Sequence, residues 1–257
     1  MSGLTFIEPA GVTFLSNVGF WLNSRGCKPS FINVNRNSAA IKYLDDAQFF
    51  MQHCGQLLTE GAEPRETTRP LQRIDDEDTH AWLRMNLIPW LSSKLGMSEA
   101  SLVEFQVCIS ELFNNISDHS TPNTGSIFVQ FYPNKNEIRI SVADFGCGIP
   151  ENVRKFAGGI DDGSAILKAV TPGFSTKSTP RNRGAGLDIL LMTAVTRNGG
   201  TVSIFSQTAY VVFSPNGTTV GHAVFTNAGY CPGTTIDICL RTDTIERVED
   251  GPEEFEW

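Results

Sequence analysis

What this 257-residue sequence lacks narrows it at once. No apolar run approaches the ~20 residues a helix needs to cross a bilayer, so no membrane span is expected. The six cysteines (Cys27, Cys54, Cys108, Cys147, Cys231, Cys239) are scattered without a C-x-x-C pair, and only four histidines accompany them; that argues against a zinc site and for reduced thiols. Basic residues are in deficit: 20 Lys and Arg against 28 Asp and Glu leave a net charge of −8, so no nucleic-acid partner is expected. The opening Met-Ser-Gly-Leu-Thr-Phe-Ile-Glu-Pro has neither a basic region nor an apolar run, so a cytoplasmic location is the expectation. A G-x-x-x-x-G-K-[ST] phosphate loop is also missing.

What is present reads as an ordinary folded chain, with 40% hydrophobic and 19% charged residues. Hydrophobic periodicity divides it. Residues 1–60 read as a small α/β unit, with short strands at Leu4–Ile7 and Phe31–Val34 and helices over Val12–Leu22 and Ala39–Cys54. Ile41, Leu44, Phe49 and Phe50 are the expected buried positions of the second helix. A polar stretch with Gly61, Pro64 and Pro70 is the linker candidate, residues 61–75. Thr79–Leu95 reads as a helix stopped by Gly96. A second long helix follows, with Ser101-x-x-Glu104 as a capping box and an apolar stripe of Leu102, Phe105, Ile109, Leu112, Phe113 and Ile116. Alternation predicts a hairpin from Ile127–Phe131 and Ile138–Val142 around Pro133–Asn136. The glycine-rich stretch Pro150–Arg183 is expected to hold one short helix near Ser164–Val170. A helix from Leu187 to Arg197 and strands near Val202–Phe205, Tyr210–Phe213 and Thr234–Leu240 complete the pattern. An acidic tail covers 243–257.

Three short stretches carry chemistry. In Glu111-Leu112-Phe113-Asn114-Asn115, Glu111, Asn115 and Asp118 share a helix face beside the apolar stripe. A carboxylate there suits proton abstraction, and a neutral amide oxygen suits a hard cation such as Mg²⁺. Asp118, one turn on, is placed to orient waters or the sugar side of a ligand. In Asp144-Phe145-Gly146-Cys147-Gly148-Ile149, a carboxylate ends a strand and two glycines follow. Such a carboxylate accepts from the exocyclic amine of adenine, whereas guanine presents an oxygen. Gly146 and Gly148 let the backbone approach a ligand. Last, Lys177, Arg181 and Arg183 precede the turn Gly184-Ala185-Gly186-Leu187, which opens a helix: a cationic, glycine-lined anion site. Asp144-Phe145-Gly146 also copies the D-F-G of protein kinases, and Ala39-Ala40-Ile41-Lys42 their lysine strand. No H-R-D loop precedes Asp144 and no G-x-G-x-x-G precedes Lys42, so a kinase fold of that type is excluded.

In this order, the three stretches resemble the N, G1 and G2 boxes of the GHKL superfamily of Bergerat-fold ATPases, over residues 76–242. The resemblance implies an α/β two-layer sandwich with a mixed sheet and an ATP lid over Pro150–Arg183. It places the Mg²⁺ ligand at Asn115, the adenine contact at Asp144 and the phosphate-loop glycines at Gly184 and Gly186. Thr234, in Gly233-Thr234 at the start of a strand, resembles the threonine that supports the adenine contact. Histidine kinases usually carry Lys or Arg three residues after the metal Asn, where this chain has Asp118; around His80, Ala81-Trp82-Leu83-Arg84 departs from their H-E-x-x-x-P pattern. Residues 1–60, through Tyr43-Leu44-Asp45-Asp46 and Phe49-Phe50, weakly resemble a STAS-like module, although Ser38 lacks the usual D-S-x-G.

These resemblances imply a Mg²⁺-ATP-binding ATPase, a slow hydrolase with Glu111 as base, whose nucleotide state switches the surface shown to a protein partner in trans. Two alternatives stand beside it: an anti-sigma-type serine/threonine kinase, and a non-catalytic ATP-sensing scaffold. ATP and ADP are the expected ligands, and a homodimer is among the expected assemblies.

Overall fold

The computed structural model describes residues 1–74, 79–119, 125–174 and 186–248, with residues 117–119 and 228 described for their backbone only. The elements run α1 (Pro9–Ser24), α2 (Ala39–Asp46), α3 (Phe49–Cys54), β1 (Thr68–Ile74), α4 (Thr79–Trp82), a π-helical turn (Leu83–Leu87), α5 (Ile88–Leu95), a 3-10 turn (Glu99–Leu102), α6 (Val103–His119), β2 (Gly125–Tyr132), β3 (Glu137–Asp144), α7 (Ile149–Ala157), α8 (Asp162–Ala169), α9 (Gly186–Leu191), a second π-helical turn (Met192–Arg197), β4 (Thr201–Asn216) and β5 (Thr219–Arg241). None of the described helices is long and apolar enough to cross a membrane.

The strands form one sheet in the order β1-β2-β3-β5-β4. All four pairings are antiparallel, which corrects the expected mixed sheet. Strand alternation then sorts the side chains. Ile127 and Val129 of β2, Ile138, Ile140 and Val142 of β3, and Ile236, Ile238 and Leu240 of β5 join one cluster with Leu83, Leu87, Phe105, Ile109, Leu112 and Phe113 of the α4–α6 layer. The stripe predicted on α6 is buried at every position. Gly96, with φ +59, stops α5.

The first 60 residues are not the α/β unit expected from their pattern, and no strand forms there among the described residues. α1 instead lies on the opposite face of the sheet. Thr13 Oγ1 shares a 2.8 Å hydrogen bond with Ser141 Oγ on β3, and Ser126 Oγ on β2 donates to Asn17 Oδ1 at 2.8 Å. Leu4, Ile7, Phe31 and Val34 pack as coil against a second cluster of Val12, Ile41, Leu44, Ala47, Phe49, Phe50, Leu71 and Phe128. Short apolar runs serve helix packing as readily as sheet pairing, and only the available partner decides. A STAS-like module would need strands of its own in this region. Helices do form over Val12–Leu22 and Ala39–Cys54, the latter broken between α2 and α3 at Gln48, with φ +67.

The presumed linker is part of this sheet. Thr68–Ile74 is the edge strand β1, with Pro70 inside a register irregularity between Arg69 and Gln72. Proline fits there because an edge position does not need its missing N–H. The outer side of β1 is covered: Leu71 N donates to Ala47 O at 3.1 Å, and Gln52 Nε2 donates to Leu71 O.

Three further expectations change. The stretch after Pro150 holds two helices, not one; Arg154 of α7 pairs with Asp162 of α8 at 2.7 Å, and Asp162 Oδ2 accepts Thr208 N of β4 at 3.0 Å. The region from α7 through α8 is therefore tied to the sheet. The two strands expected at Val202–Phe205 and Tyr210–Phe213 are one strand with an irregularity at Gln207, and β5 begins at Thr219, well before the strand expected at Thr234–Leu240. The capping box does not form: Ser98 precedes the 3-10 turn without a side-chain cap, and Ser101 Oγ accepts Val248 N at 2.8 Å. The acidic tail is held as far as Val248, whose carbonyl accepts Ser98 Oγ at 2.6 Å.

Candidate functional site

Asp144 closes β3, paired with Gly125 of β2 on one side and Thr234 of β5 on the other. Its Oδ1 accepts the N–H of Gly146 at 2.7 Å. Asp144 is half-buried, with its carboxyl group in a crowded part of the site. That burial pushes its pKa up to about 7, against the opposing pull of the Gly146 and Thr234 N–H groups. A carboxylate offers about four acceptor sites, so the Gly146 and Thr234 N–H groups leave it acceptor capacity at the end of the strand.

The loop after Asp144 has little room for side chains. Gly148 has φ +82, and a β carbon there would lie 2.8 Å from Ser206 Oγ and 2.9 Å from Gly233 O. Gly233 has φ +77, and a β carbon there would lie 2.3 Å from Asp144 O and 2.7 Å from Gly146 N. Both positions demand glycine for conformation and for space. Two β4 side chains that the sequence reading missed hold this loop. Ser206 Oγ accepts Ile149 N at 3.1 Å, donates to Gly233 O at 2.6 Å and lies 3.2 Å from Thr234 Oγ1. Gln207 Nε2 donates to Cys147 O at 2.8 Å. Gln207 has φ +55 at the break in the β4–β5 register, and that break aims its side chain back at the loop. No local signal separates Ser206-Gln207 from any polar pair at a strand irregularity. Phe145 is fixed from beneath: its ring meets Phe14 of α1 edge-on at 5.6 Å.

The helix side of the site comes from α6. Glu111 and Asn115 are half-buried on one face, one turn apart. α9 begins directly against them: a β carbon on Gly186 would lie 3.4 Å from Asn115 Nδ2, 3.6 Å from Glu111 Cβ and 4.0 Å from Glu111 Oε2. Leu187 is half-buried against the main core. The two sides meet through Ile116, whose Cγ2 would lie 2.8 Å from a β carbon on Gly125, the residue opposite Asp144. His80 lies nearby on α4, with its Nε2 3.1 Å from Asn114 Oδ1 and its ring edge-on to Phe113.

The structure thus brings Glu111, Asn115 and Gly186 together, and Asp144, Gly146, Gly148 and Thr234 together. The side chain of Asp118, and all of Lys177, Arg181, Arg183, Gly184 and Ala185, lie outside the described residues. A separate cavity of about 460 Å³, lined by Leu91, Phe105, Thr193, Leu240 and Val248, sits at the other end of α6, and no expected site residue lines it.

No curated protein matches this chain significantly. A family model does: that of the histidine kinase-, DNA gyrase B- and HSP90-like ATPases matches residues 101–243, which hold both α6 and the Asp144 loop. The match spans more than half of the chain and ends just beyond β5, and the α/β sandwich described above fits it; this chain belongs to the histidine kinase-, DNA gyrase B- and HSP90-like ATPase family.

Proposed function

We propose that the chain binds Mg²⁺-ATP between α6 and the ends of β3 and β5, hydrolyses it slowly, and uses the nucleotide state to switch a surface seen by a protein partner. One observation carries the reading: a half-buried carboxylate, Asp144, held by the N–H of Gly146 in a loop where Gly148 and Gly233 have no room for a β carbon. That is a recognition edge for a flat base bearing an amine, because the carboxylate accepts and the neighbouring backbone can come close. Thr234, on the strand beside it, supports the same contact.

Asn115 would hold the magnesium ion through its amide oxygen. Mg²⁺ prefers oxygen ligands and keeps several waters, so one amide oxygen together with phosphate oxygens would suffice. Magnesium there would neutralise phosphate charge. Glu111, on the same helix face and against Gly186, would take the proton from an attacking water; the water oxygen bonds to the terminal phosphorus as the bond to ADP breaks. Lys177, Arg181, Arg183, Gly184, Ala185, Gly186 and Leu187 would meet the phosphates, and Asp118 the sugar side.

Incubation of the purified protein with terminally labelled ATP tests this. Release of labelled phosphate supports hydrolysis. Transfer of the label to a protein would replace that reading with a kinase, and retention of all label on ATP would leave a nucleotide-sensing scaffold.

A further inference from the structure

Between Arg197 and Asp237 the chain contains no Asp, Glu, Lys or Arg, in a protein with net charge −8. This stretch makes a protruding two-stranded arm. β3 pairs with β5 only over Thr234–Arg241, whereas β4 pairs with β5 on to Asn216 and Thr219. Over Thr219–Thr226, β4 is the only strand partner of β5 among the described residues, and against those residues positions 222–227 are exposed. Eight paired residues make the arm's outer part about 26 Å long.

The faces of the arm differ. Val224 lies against Gly163 of α8, on the side where Ala209, Val211 and Phe213 are buried. On the other side Phe205, Tyr210 and Phe225 form a run of aromatic contacts, with ring centroids 6.1 and 5.9 Å apart, and Phe225 is 51% exposed. Folded proteins usually cover or charge an open strand edge. This protein covers its other edge, β1, with Ala47 and Gln52, whereas among the described residues positions 222–227 of the arm are exposed, and they carry no Asp, Glu, Lys or Arg.

We propose that the arm is a self-association surface: β5 pairs antiparallel with β5 of a second copy, continuing the sheet across a two-fold axis. Like edges running antiparallel are self-complementary, as an isologous contact requires. Two chains of charge −8 repel each other, and the arm lets them meet where neither brings charge. A charged partner would find nothing here to pair with. A register centred on Val224 sets each Phe225 opposite Ala223 of the second copy, large against small.

Sedimentation of the full chain from about 1 to about 100 µM tests this, across the range where an interface of modest size assembles. The expected result is a monomer–dimer equilibrium, weakened at least about tenfold in the double variant Ala223→Asp, Phe225→Asp, which places carboxylates opposite each other across the axis. Both residues lie outside the nucleotide site, so ATP binding by the double variant should be unchanged and reports that the domain is folded. Hydrogen exchange of wild-type residues 219–227 should slow as concentration rises, and this decides the matter if the variant fails to fold. A monomer throughout, a dimer indifferent to the double substitution, or exchange at 219–227 independent of concentration overturns the proposal.

Discussion

Ser206 and Gly148 stand 58 residues apart in sequence, yet the Ser206 hydroxyl occupies the space that a β carbon on Gly148 would need, 2.8 Å away. The serine on β4 thereby shapes a loop whose recognition residue, Asp144, belongs to β3. Ser206→Ala would leave the Ile149 N–H without its acceptor and the Gly233 carbonyl without its donor. The expected cost is about 1–3 kcal/mol of stability, with weaker nucleotide binding and no change of fold. Denaturant unfolding and calorimetry on the same samples check it.

Asp144→Asn turns an acceptor into a side chain able to present a donor to the adenine amine. ATP affinity should fall by roughly 1.5–3 kcal/mol, and the wild type should bind GTP poorly. The pKa of about 7 adds a pH dependence. Below it the carboxyl is protonated and a weaker acceptor, so wild-type affinity should rise with pH through about 7 and level off above. Phosphate titration moves affinity in the same range, but equally in both proteins. The slope in excess of that of Asp144→Asn is therefore the reporter, and equal slopes would remove Asp144 from the base site.

Gly233 and Gly55 share a positive φ, +77 and +73, but a β carbon at Gly55 meets nothing within 4 Å. Gly55→Ala should cost only the left-handed backbone term, about 1–2 kcal/mol, and spare nucleotide binding. Gly233→Ala adds a clash with the Asp144 carbonyl, a further 1–3 kcal/mol or so, and should abolish ATP binding before it unfolds the domain. Melting temperature and nucleotide affinity, measured side by side, separate the two costs.

Glu111→Ala and Asn115→Ala should part company. The first should bind Mg²⁺-ATP almost normally and lose turnover by about 10²–10⁴-fold. The second should weaken binding itself, more with magnesium than without. Neither residue is in the buried stripe of α6, so circular dichroism should report intact folds. Wild-type turnover in Glu111→Ala would end the assigned mechanism.

His53 sits among Phe20, Phe31 and Phe49, its Nε2 3.1 Å from Ser16 Oγ, and burial pushes its pKa down to about 4. The ordinary value is 6.5, so the unfolded chain takes up a proton that the folded chain refuses. Stability from this site is complete above pH 6.5 and is lost as pH falls towards 4, by something on the order of 2 kcal/mol after allowing for residual solvent. Asp144 and Asp237, pushed up by burial to about 7 and about 6, act in the opposite sense. The stability gap between wild type and His53→Gln isolates the histidine: it should narrow in urea titrations from pH 7 to pH 5, and a constant gap would mean that His53 is not held neutral.

Local pattern alone determined much of this protein. The spacing of Leu102 to Ile116 makes α6 and puts Glu111 and Asn115 together on its face, because the helical period settles both at once. Alternation makes the β2–β3 hairpin and ends it at Asp144, and glycine marks the positions where the chain turns tightly. What pattern could not decide was which surface each segment meets. The apolar residues of Leu4–Ile7 and Phe31–Val34 pack beside helices because α1 already covers the second face of the sheet. Thr68–Ile74, polar and holding a proline, becomes an edge strand because Ala47 and Gln52 complete its outer side. Ser206 and Gln207 became legible as site residues only when β4 reached the Asp144 loop, since each acquires its role from a partner dozens of residues away. Pairing and packing are long-range contacts, and their free energy exists only once the chain has closed on itself.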